Sequence, residues 1–180
     1  MKTLGLIPCL LATGLCIAVG TANAQPVKKS TVPGVVNFAQ VETTVACAGA
    51  TTPESLAEIR KMGFHSVMDL RMASEPGARI EEEAAAAKAA GINFVHLPFN
   101  ESTPDFGIID QFLTAVTDPK NQPAFIHCAS GNRAAMMWFI KRVLVDKWEV
   151  DRASEEAEQL GMTKASLKTL ALNYIQSHGK

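Results

Sequence analysis

The chain has 180 residues and a formal net charge of −1, from 17 Lys and Arg against 18 Asp and Glu. This near-neutral charge, without a basic run, excludes the positive surface that nucleic-acid binding requires, so we expect no nucleic-acid partner. The four histidines are scattered and no zinc pattern occurs, so the sequence predicts no metal and no cofactor. The length fits one domain with one core.

Residues 1–24 have the pattern of a secretory signal peptide. Lys2 provides the positive start, Leu4–Val19 are mostly apolar, and Ala22-Asn23-Ala24 offers a small-residue cleavage site. The apolar run is shorter than the ~20 residues that span a bilayer, although an uncleaved anchor is the alternative. The sequence therefore predicts an exported protein, periplasmic or secreted, that has no membrane contact after cleavage.

Strands and helices alternate beyond this segment. After a linker or extended lead-in at 25–36, residues 37–180 form the predicted domain. Thr52-Pro53 and Thr103-Pro104 open helices, and Gly91 closes one. Strands are predicted at 41–46, 64–70, 92–97 and 124–127, and helices at 52–63, 81–90, 103–117, 134–145, 151–160 and 164–176. This order predicts an α/β domain with a mostly parallel central sheet and helices on both faces.

The most informative stretch is FIHCASGNR at 125–133, a short apolar strand, a glycine-containing turn and the start of a helix. Loop N–H groups and the positive end of the helix dipole converge there, which makes an anion-binding cradle. A thiolate at Cys128 is favoured by the same field, and Arg133 adds a fixed charge with two parallel donors. The stretch therefore predicts a nucleophilic cysteine enzyme, although a buried core cysteine is the plain alternative.

Two other predicted strands also end in polar groups, at Asp69-Leu70-Arg71 and Pro98–Glu101. Ligands bind beyond the carboxyl ends of the strands in sheets of this kind. We therefore expect these segments to lie beside Cys128.

The pattern resembles the cysteine-based tyrosine and dual-specificity phosphatases. Further segments resemble one branch of them, the beta-lactamase hydrolase-like phosphatase domain; these are 37–38, 48–54, 63–71, 91–98 and 127–133. The resemblance implies hydrolysis of phosphoesters, with protein phosphotyrosine among the substrates, through a cysteinyl-phosphate.

Two features depart from the tyrosine phosphatase pattern. Four residues separate Cys128 from Arg133, where these phosphatases have five, and Ala134 stands where they usually have Ser or Thr. Rhodanese sulfurtransferases use a loop of the shorter length. Sulfur transfer through a Cys128 persulfide is therefore an alternative, and an inactive anion-binding module is a second one. The expected partner is a phosphorylated or sulfur-carrying substrate, and the oligomeric state is left open.

The resemblance assigns roles to the loop residues. Cys128 is the nucleophile, Arg133 binds the oxyanion, and His127 orients the loop unless it is a structural residue. The remaining substrate-binding contacts come from backbone N–H groups at Ala129, Ser130, Gly131 and Asn132.

A phosphatase also needs a general acid. Family position points to the loop after Pro98, where Glu101 and Asp105 are the carboxylates. Asp105 is the predicted acid, although an acidic residue there also suits the helix dipole. Arg71 and Glu75 either line the pocket edge or form an ion pair. Cys47 is a core residue or the partner of Cys128 in a reversible disulfide.

Overall fold

A computed structural model describes residues 26–179, so the predicted signal peptide lies outside the described residues. Six strands form one sheet in the order β1-β2-β3-β6-β4-β5. The strands are β1 (Lys28–Lys29), β2 (Ala39–Val41), β3 (Val45–Ala48), β4 (Ser66–Asp69), β5 (Asn93–His96) and β6 (Ala124–His127). The last four in spatial order, β3-β6-β4-β5, run parallel, whereas β1 and β2 form an antiparallel edge. The predicted mostly parallel sheet is confirmed.

Helices cover both faces of the sheet, as the alternating pattern predicted. They are α1 (Leu56–Lys61), α2 (Ile80–Ala90), α3 (Phe106–Thr117), α4 (Asn132–Leu144), α5 (Val150–Leu160) and α6 (Ala165–His178), with single 3₁₀ turns at Pro53–Ser55 and Pro119–Asn121. Helices α1 and α2 pack with Phe64 and Phe125 on one face. Helices α3 to α6 pack on the other face, where α4 lies against α3, α5 and α6.

Helix α4 is buried on nearly all sides because most of its side chains are apolar. Positions from Asn132 to Ile140 are all buried. A helix that is apolar all round belongs in a core, not at a surface. The helix that follows the cysteine loop is therefore held rigidly in the middle of the domain.

The predicted strand at 41–46 is wrong in one respect, because it is a hairpin of β2 and β3. Val41 and Val45 are register partners, and the chain reverses at 42–44. The turn uses Glu42 at a positive φ of 56°. Both valines are fully buried, and with the β-branched Thr43 and Thr44 between them the segment looks like a single β-prone run in the sequence.

The lead-in packs against the domain. Strand β1 pairs with β2, Val32 is buried, and Val35 bridges to Thr51. Within residues 26–179, no helix is both long and apolar enough to cross a membrane.

Candidate active site

Cys128 directly follows β6, which lies between β3 and β4 at the centre of the sheet. His127 is in register with Ala48 on one side and Asp69 on the other, so the three strand ends meet at one edge. Gly131 caps α4 with a φ of +99°, a conformation that disfavours any side chain. Its N–H donates to Cys128 Sγ at 3.2 Å. The sulfur is therefore held at the positive end of α4.

Neighbouring segments fix the loop through its carbonyl groups. Ala50 N–H donates to the carbonyl of Ala129 at 2.9 Å, and Asn37 Nδ2 donates to that of Ser130 at 3.2 Å. Within residues 26–179, the N–H groups of Ala129, Ser130 and Asn132 meet no protein acceptor. These N–H groups are available to an anion, as the sequence predicted for a cradle.

Arg133 is buried beside the loop and bound on several sides. Its Nη1 donates to the carbonyls of Leu70 (3.0 Å), which directly follows β4, and Phe99 (2.8 Å), which lies in the loop between β5 and α3. Its Nη1 and Nη2 also donate to Oε1 and Oε2 of Glu75, at 2.6 and 2.7 Å. Burial lowers the pKa of Arg133, but Glu75 and the nearby Cys128 raise it overall. The guanidinium is therefore a permanent cation at the cradle.

Glu75 is held in place by hydrogen bonds within its own loop, residues 71–77. Arg71 donates to the carbonyls of Pro76 (2.7 Å) and Gly77 (3.0 Å), and Met72 N–H donates to Glu75 at 2.9 Å. Burial raises the pKa of Glu75, but bonds from Arg133 and Met72 lower it overall. A charged carboxylate therefore occupies the donor fork that an oxyanion would use.

Asn132 connects the loop to the turn between α5 and α6. Its Oδ1 accepts from the backbone N–H groups of Thr163 (2.8 Å) and Lys164 (2.9 Å). Lys164 Nζ then pairs with Glu101 Oε1 at 2.6 Å. The bond from Asn132 thus fixes the backbone of Lys164 beside the cysteine loop.

These residues surround an open cavity of about 390 Å³. Its lining consists of Met72, Ser74, Glu75, Asn100, Glu101, Ser102, Ala129, Ser130, Asn132, Arg133 and Lys164. The volume lies in the range of small-molecule sites. The chain segments that follow β4, β5 and β6 all contribute to this lining.

Asp105 does not line this cavity. It is the exposed N-cap of α3, and its Oδ1 accepts from Gly107 N–H at 2.9 Å. Glu101, the other carboxylate considered, does line the cavity. The structure thus gives Asp105 the capping role that the helix-dipole alternative describes, and its catalytic role stays a prediction.

His127 also lies away from the cavity. It is fully buried on the α1–α2 face, with its ring stacked on Phe125. Its Nε2 lies 2.6 Å from Glu83 of α2 and 3.7 Å from Asp69. Since its side chain cannot reach an anion in the cradle, the predicted substrate contact by His127 is corrected to a structural one behind the loop.

Asp69, Glu83 and His127 are the residues within 26–179 whose ligand atoms come close enough together to hold a metal ion. His127 Nε2 and Glu83 Oε1 lie 2.6 Å apart, which is too close for two ligands of one ion. Burial, aided by Glu83 and opposed by His127, raises the pKa of Asp69. The arrangement fits a buried polar cluster better than a metal centre.

Cys47 differs from Cys128 although both are unpaired and buried. It lies inside β3 opposite Ile126, among apolar side chains. Burial, followed by the neighbouring Cys128, raises the pKa of the Cys47 thiol. A thiol that stays protonated is a poor nucleophile, so Cys47 behaves as a core residue.

The comparisons with known proteins agree with this geometry. Residues 17–174 match the model of a family described as DSP-PTPase phosphatase fused to NAD+ kinase. The chain belongs to this family. As expected from the resemblance, this DSP-PTPase-type chain is similar to the beta-lactamase hydrolase-like proteins of two Xylella fastidiosa strains, Temecula1 and 9a5c. Identity to each is 25% over 130 residues, which is 70% of this chain but only 28% of the relative's length.

Solved structures show the same fold for this DSP-PTPase family member. The DUF442 phosphatase-type protein of Shewanella putrefaciens CN-32 has a TM-score of 0.68 at 15% identity, covering 83% of this chain and 97% of that one. TpbA of P. aeruginosa scores 0.63 at 19% identity, with 88% and 91% covered. The catalytic core of the PP-IP phosphatase Siw14 of S. cerevisiae scores 0.64 at 19%, with 79% and 87% covered. The predicted phosphatase-like fold is confirmed.

Sequence reasoning missed two residues of the site. Glu75 was considered as a pocket edge or as part of an ion pair with Arg71, but its contact with Arg133 through both oxygens was not predicted. Lys164 was assigned only to a helix start, although it lines the cavity. The glutamate four residues after Arg71 could have indicated a charged contact at Glu75. No local sequence pattern indicates that Lys164 lines the cavity.

Proposed function

We propose that this protein hydrolyses phosphoesters through a cysteinyl-phosphate on Cys128. The observation that carries the proposal is the position of Cys128 Sγ at the N-terminus of α4, beside the buried Arg133. The Cys128 thiolate attacks phosphorus and forms an S–P bond as the P–O bond to the leaving group breaks. The leaving oxygen takes a proton, and water then attacks phosphorus, breaks the S–P bond and releases inorganic phosphate. Loop N–H groups and Arg133 stabilise the charge on the equatorial oxygens in both steps.

Binding of the phosphoryl group requires Arg133 to turn at least one donor away from Glu75. The carbonyls of Leu70 and Phe99 keep the guanidinium in place while this exchange occurs. Glu75 thus acts as a placeholder for the substrate oxygens in the free enzyme.

Cys128→Ser tests the nucleophile, and Cys47→Ser is its matched control. Both residues are buried thiols at adjacent strands, so serine is an equal change in each. Hydrolysis of p-nitrophenyl phosphate should vanish in the first variant and persist in the second. A Cys128→Ser enzyme with ordinary turnover would contradict the mechanism, as would wild-type protein without turnover.

The proton for the leaving group is proposed to come from Asp105 or Glu101. Asp105 follows from family position and Glu101 from its place at the cavity. Asp105→Asn and Glu101→Gln should be compared on p-nitrophenyl phosphate and on an alkyl phosphate, whose poor leaving group depends on the acid. The variant that loses activity only on the alkyl ester identifies the donor. If a variant loses activity equally on both esters, the residue that it replaces is not the proton donor.

Protein phosphotyrosine is one candidate substrate, because TpbA was solved in complex with phosphotyrosine. Phosphotyrosyl peptides compared with p-nitrophenyl phosphate test this assignment. A kcat/KM for the peptides no higher than that for p-nitrophenyl phosphate would contradict a peptide preference.

Sulfur transfer is the second candidate, favoured by the four residues between Cys128 and Arg133. A terminal sulfur needs a smaller pocket than a phosphoryl group with three oxygens. In this reaction the Cys128 thiolate attacks the outer sulfur of thiosulfate, whose S–S bond breaks as sulfite leaves. Mass spectrometry after incubation with thiosulfate would then reveal a persulfide on Cys128. A glycine inserted between Ser130 and Gly131 should then lower sulfur transfer and raise phosphatase activity. If both reactions are absent, the anion-binding module is the function that is left.

Export to the periplasm or outside the cell is proposed from residues 1–24. Cell fractionation should find a shortened chain that begins after Ala24. A full-length chain in the cytoplasm would contradict export.

A further inference from the structure

The cavity beside Cys128 is lined mostly by polar residues, which restricts its occupant. Among the residues that line it, Met72 and Ala129 are the apolar ones and none is aromatic. Pockets that hold an aryl group are lined mainly by apolar and aromatic side chains. The hydroxyl and amide groups at Ser74, Asn100 and Ser102 instead suit a hydrophilic molecule.

Two cations line this cavity, and each is paired with a carboxylate. Arg133 is held by Glu75 within the cradle, and Lys164 is held by Glu101 at the rim. The two pairs come from four different segments of the chain. The cavity therefore has two separate cationic positions. At each of them a carboxylate of the protein occupies the place that an anionic ligand would take.

The pair at the rim is the weaker of the two. The side chains of Lys164 and Glu101 are 49% and 36% exposed, whereas that of Arg133 is 11% exposed. Exposed ion pairs contribute little to stability, so a second anion can replace Glu101 at small cost. The backbone of Lys164 is meanwhile fixed by Asn132, so the ammonium stays near the loop when the pair opens.

We propose that Lys164 is a specificity-determining residue that binds a second phosphate, and that the substrate is a small hydrophilic molecule with two phosphate groups. One phosphate lies in the cradle of Cys128 and Arg133, and the other replaces Glu101 at Lys164. This assignment rests on the proposed phosphatase function for the first position only. It favours small-molecule bisphosphates over phosphotyrosyl peptides.

Calorimetry with non-hydrolysable probes tests the second position without turnover. The probes are alkane-1,n-bisphosphonates of three to six carbons and alkyl monophosphonates of equal length. At least one bisphosphonate should bind wild type tenfold or more tightly than its monophosphonate. Lys164→Gln should reduce that ratio to threefold or less. Glu101→Gln should increase it, because the ammonium then has no carboxylate to release.

Lys168→Gln is the matched control. Lys168 lies one turn further along α6 and forms a similar exposed pair with Glu158 at 2.9 Å, but does not line the cavity. It should keep the wild-type ratio. If Lys168→Gln lowers the ratio of the two affinities as much as Lys164→Gln does, the effect comes from general surface charge and the assignment is wrong. A ratio near one in the wild-type protein would also overturn it.

The outcome is separable from that of the proposed function. Turnover of p-nitrophenyl phosphate without a bisphosphonate advantage overturns the role of Lys164 alone. A bisphosphonate advantage without turnover overturns the hydrolase and keeps the second binding position. If both are absent, both proposals are wrong.

Discussion

The two ends of helix α4 each carry a buried arginine, and their surroundings differ. Arg142, near the C-terminal end, is paired with Glu42 (2.7 Å), Asp146 (2.9 Å) and Glu156 (2.7 Å). It also stacks on Trp138 and Trp148, with its central carbon 4.6 and 4.0 Å from the ring centres. Each of the three nitrogens of Arg142 therefore donates to a carboxylate of the protein.

Arg133, at the N-terminal end, has one carboxylate partner, and that partner lies on a loop beside the cavity. Burial lowers the pKa of both arginines, and their carboxylates raise it overall. The electrostatic state of the two is thus the same. The two arginines differ in their partners, because the single carboxylate at Arg133 lies beside the cavity, where the proposed substrate could replace it.

The largest expected effect comes from Arg133→Met. Loss of the donor fork should lower kcat/KM for an aryl phosphate by about 10³-fold, as removal of strong oxyanion donors does. Arg133→Lys should recover little, because a point charge cannot supply two parallel donors. Steady-state kinetics measures both. Near wild-type activity in the lysine variant would remove the bidentate contact from the mechanism.

Arg142→Met should have the opposite profile. It leaves the carboxylate of Glu156 fully buried without its cation, and such losses cost about 3–5 kcal/mol. Urea unfolding at pH 7 measures the free energy of unfolding. Activity per folded molecule should stay close to wild type. Adding Glu156→Gln should restore part of the lost stability, and if it does not, the buried charge is not the cause.

Gly131→Ala compares the cap of α4 with another helix end. Gly131 and Gly161 both have a strongly positive φ, at +99° and +119°. Alanine at either should cost about 1–3 kcal/mol of stability. Only Gly131→Ala should also lower activity, since relief of the positive φ would turn the N–H at this position away from Cys128 Sγ. An equal activity loss in Gly161→Ala would mean that stability alone controls turnover.

The smallest effect is the pH dependence contributed by Glu75. Its pKa in the folded protein lies below the ordinary value, so it stabilises the fold above about pH 4.3, its unfolded value. That contribution disappears as the pH falls through the lower folded value. The stability difference between wild type and Glu75→Gln should therefore be constant from pH 7 to 5 and shrink below pH 4. Urea unfolding at several pH values measures it, with Glu58→Gln as an exposed control. A difference that grows on acidification would contradict the assignment.

Local patterns were sufficient for much of the fold and for half of the site. The β6–α4 segment was predictable because its apolar run, its glycine and its helix are consecutive in the chain. The reversal at 42–44 was not, because Glu42 adopts a positive φ in a place where no glycine marks it. At the helix ends Gly91 and Gly161, in contrast, the left-handed residue is a glycine, which the sequence does show.

The remaining site residues depend on distant contacts. Glu75 reaches Arg133 only because Arg71 folds the intervening loop back on itself. His127 was expected at the cavity because it precedes the nucleophile. Alternation along β6 instead sends its ring to the α1–α2 face, with Phe125. Side-chain alternation was available from the sequence and would have corrected that prediction.

The position of β6 has a consequence for how the chain assembles. It is the last strand in the sequence, yet it lies between β3 and β4 in the sheet. Until it is inserted, β3 and β4 face each other across an empty slot and neither can pair on its inner side. We therefore expect sheet closure to be a late and non-local folding event, of the kind that slows folding. Since Cys128 directly follows β6, a partly folded chain lacks the loop of the proposed nucleophile, and we expect such molecules not to hydrolyse phosphate esters.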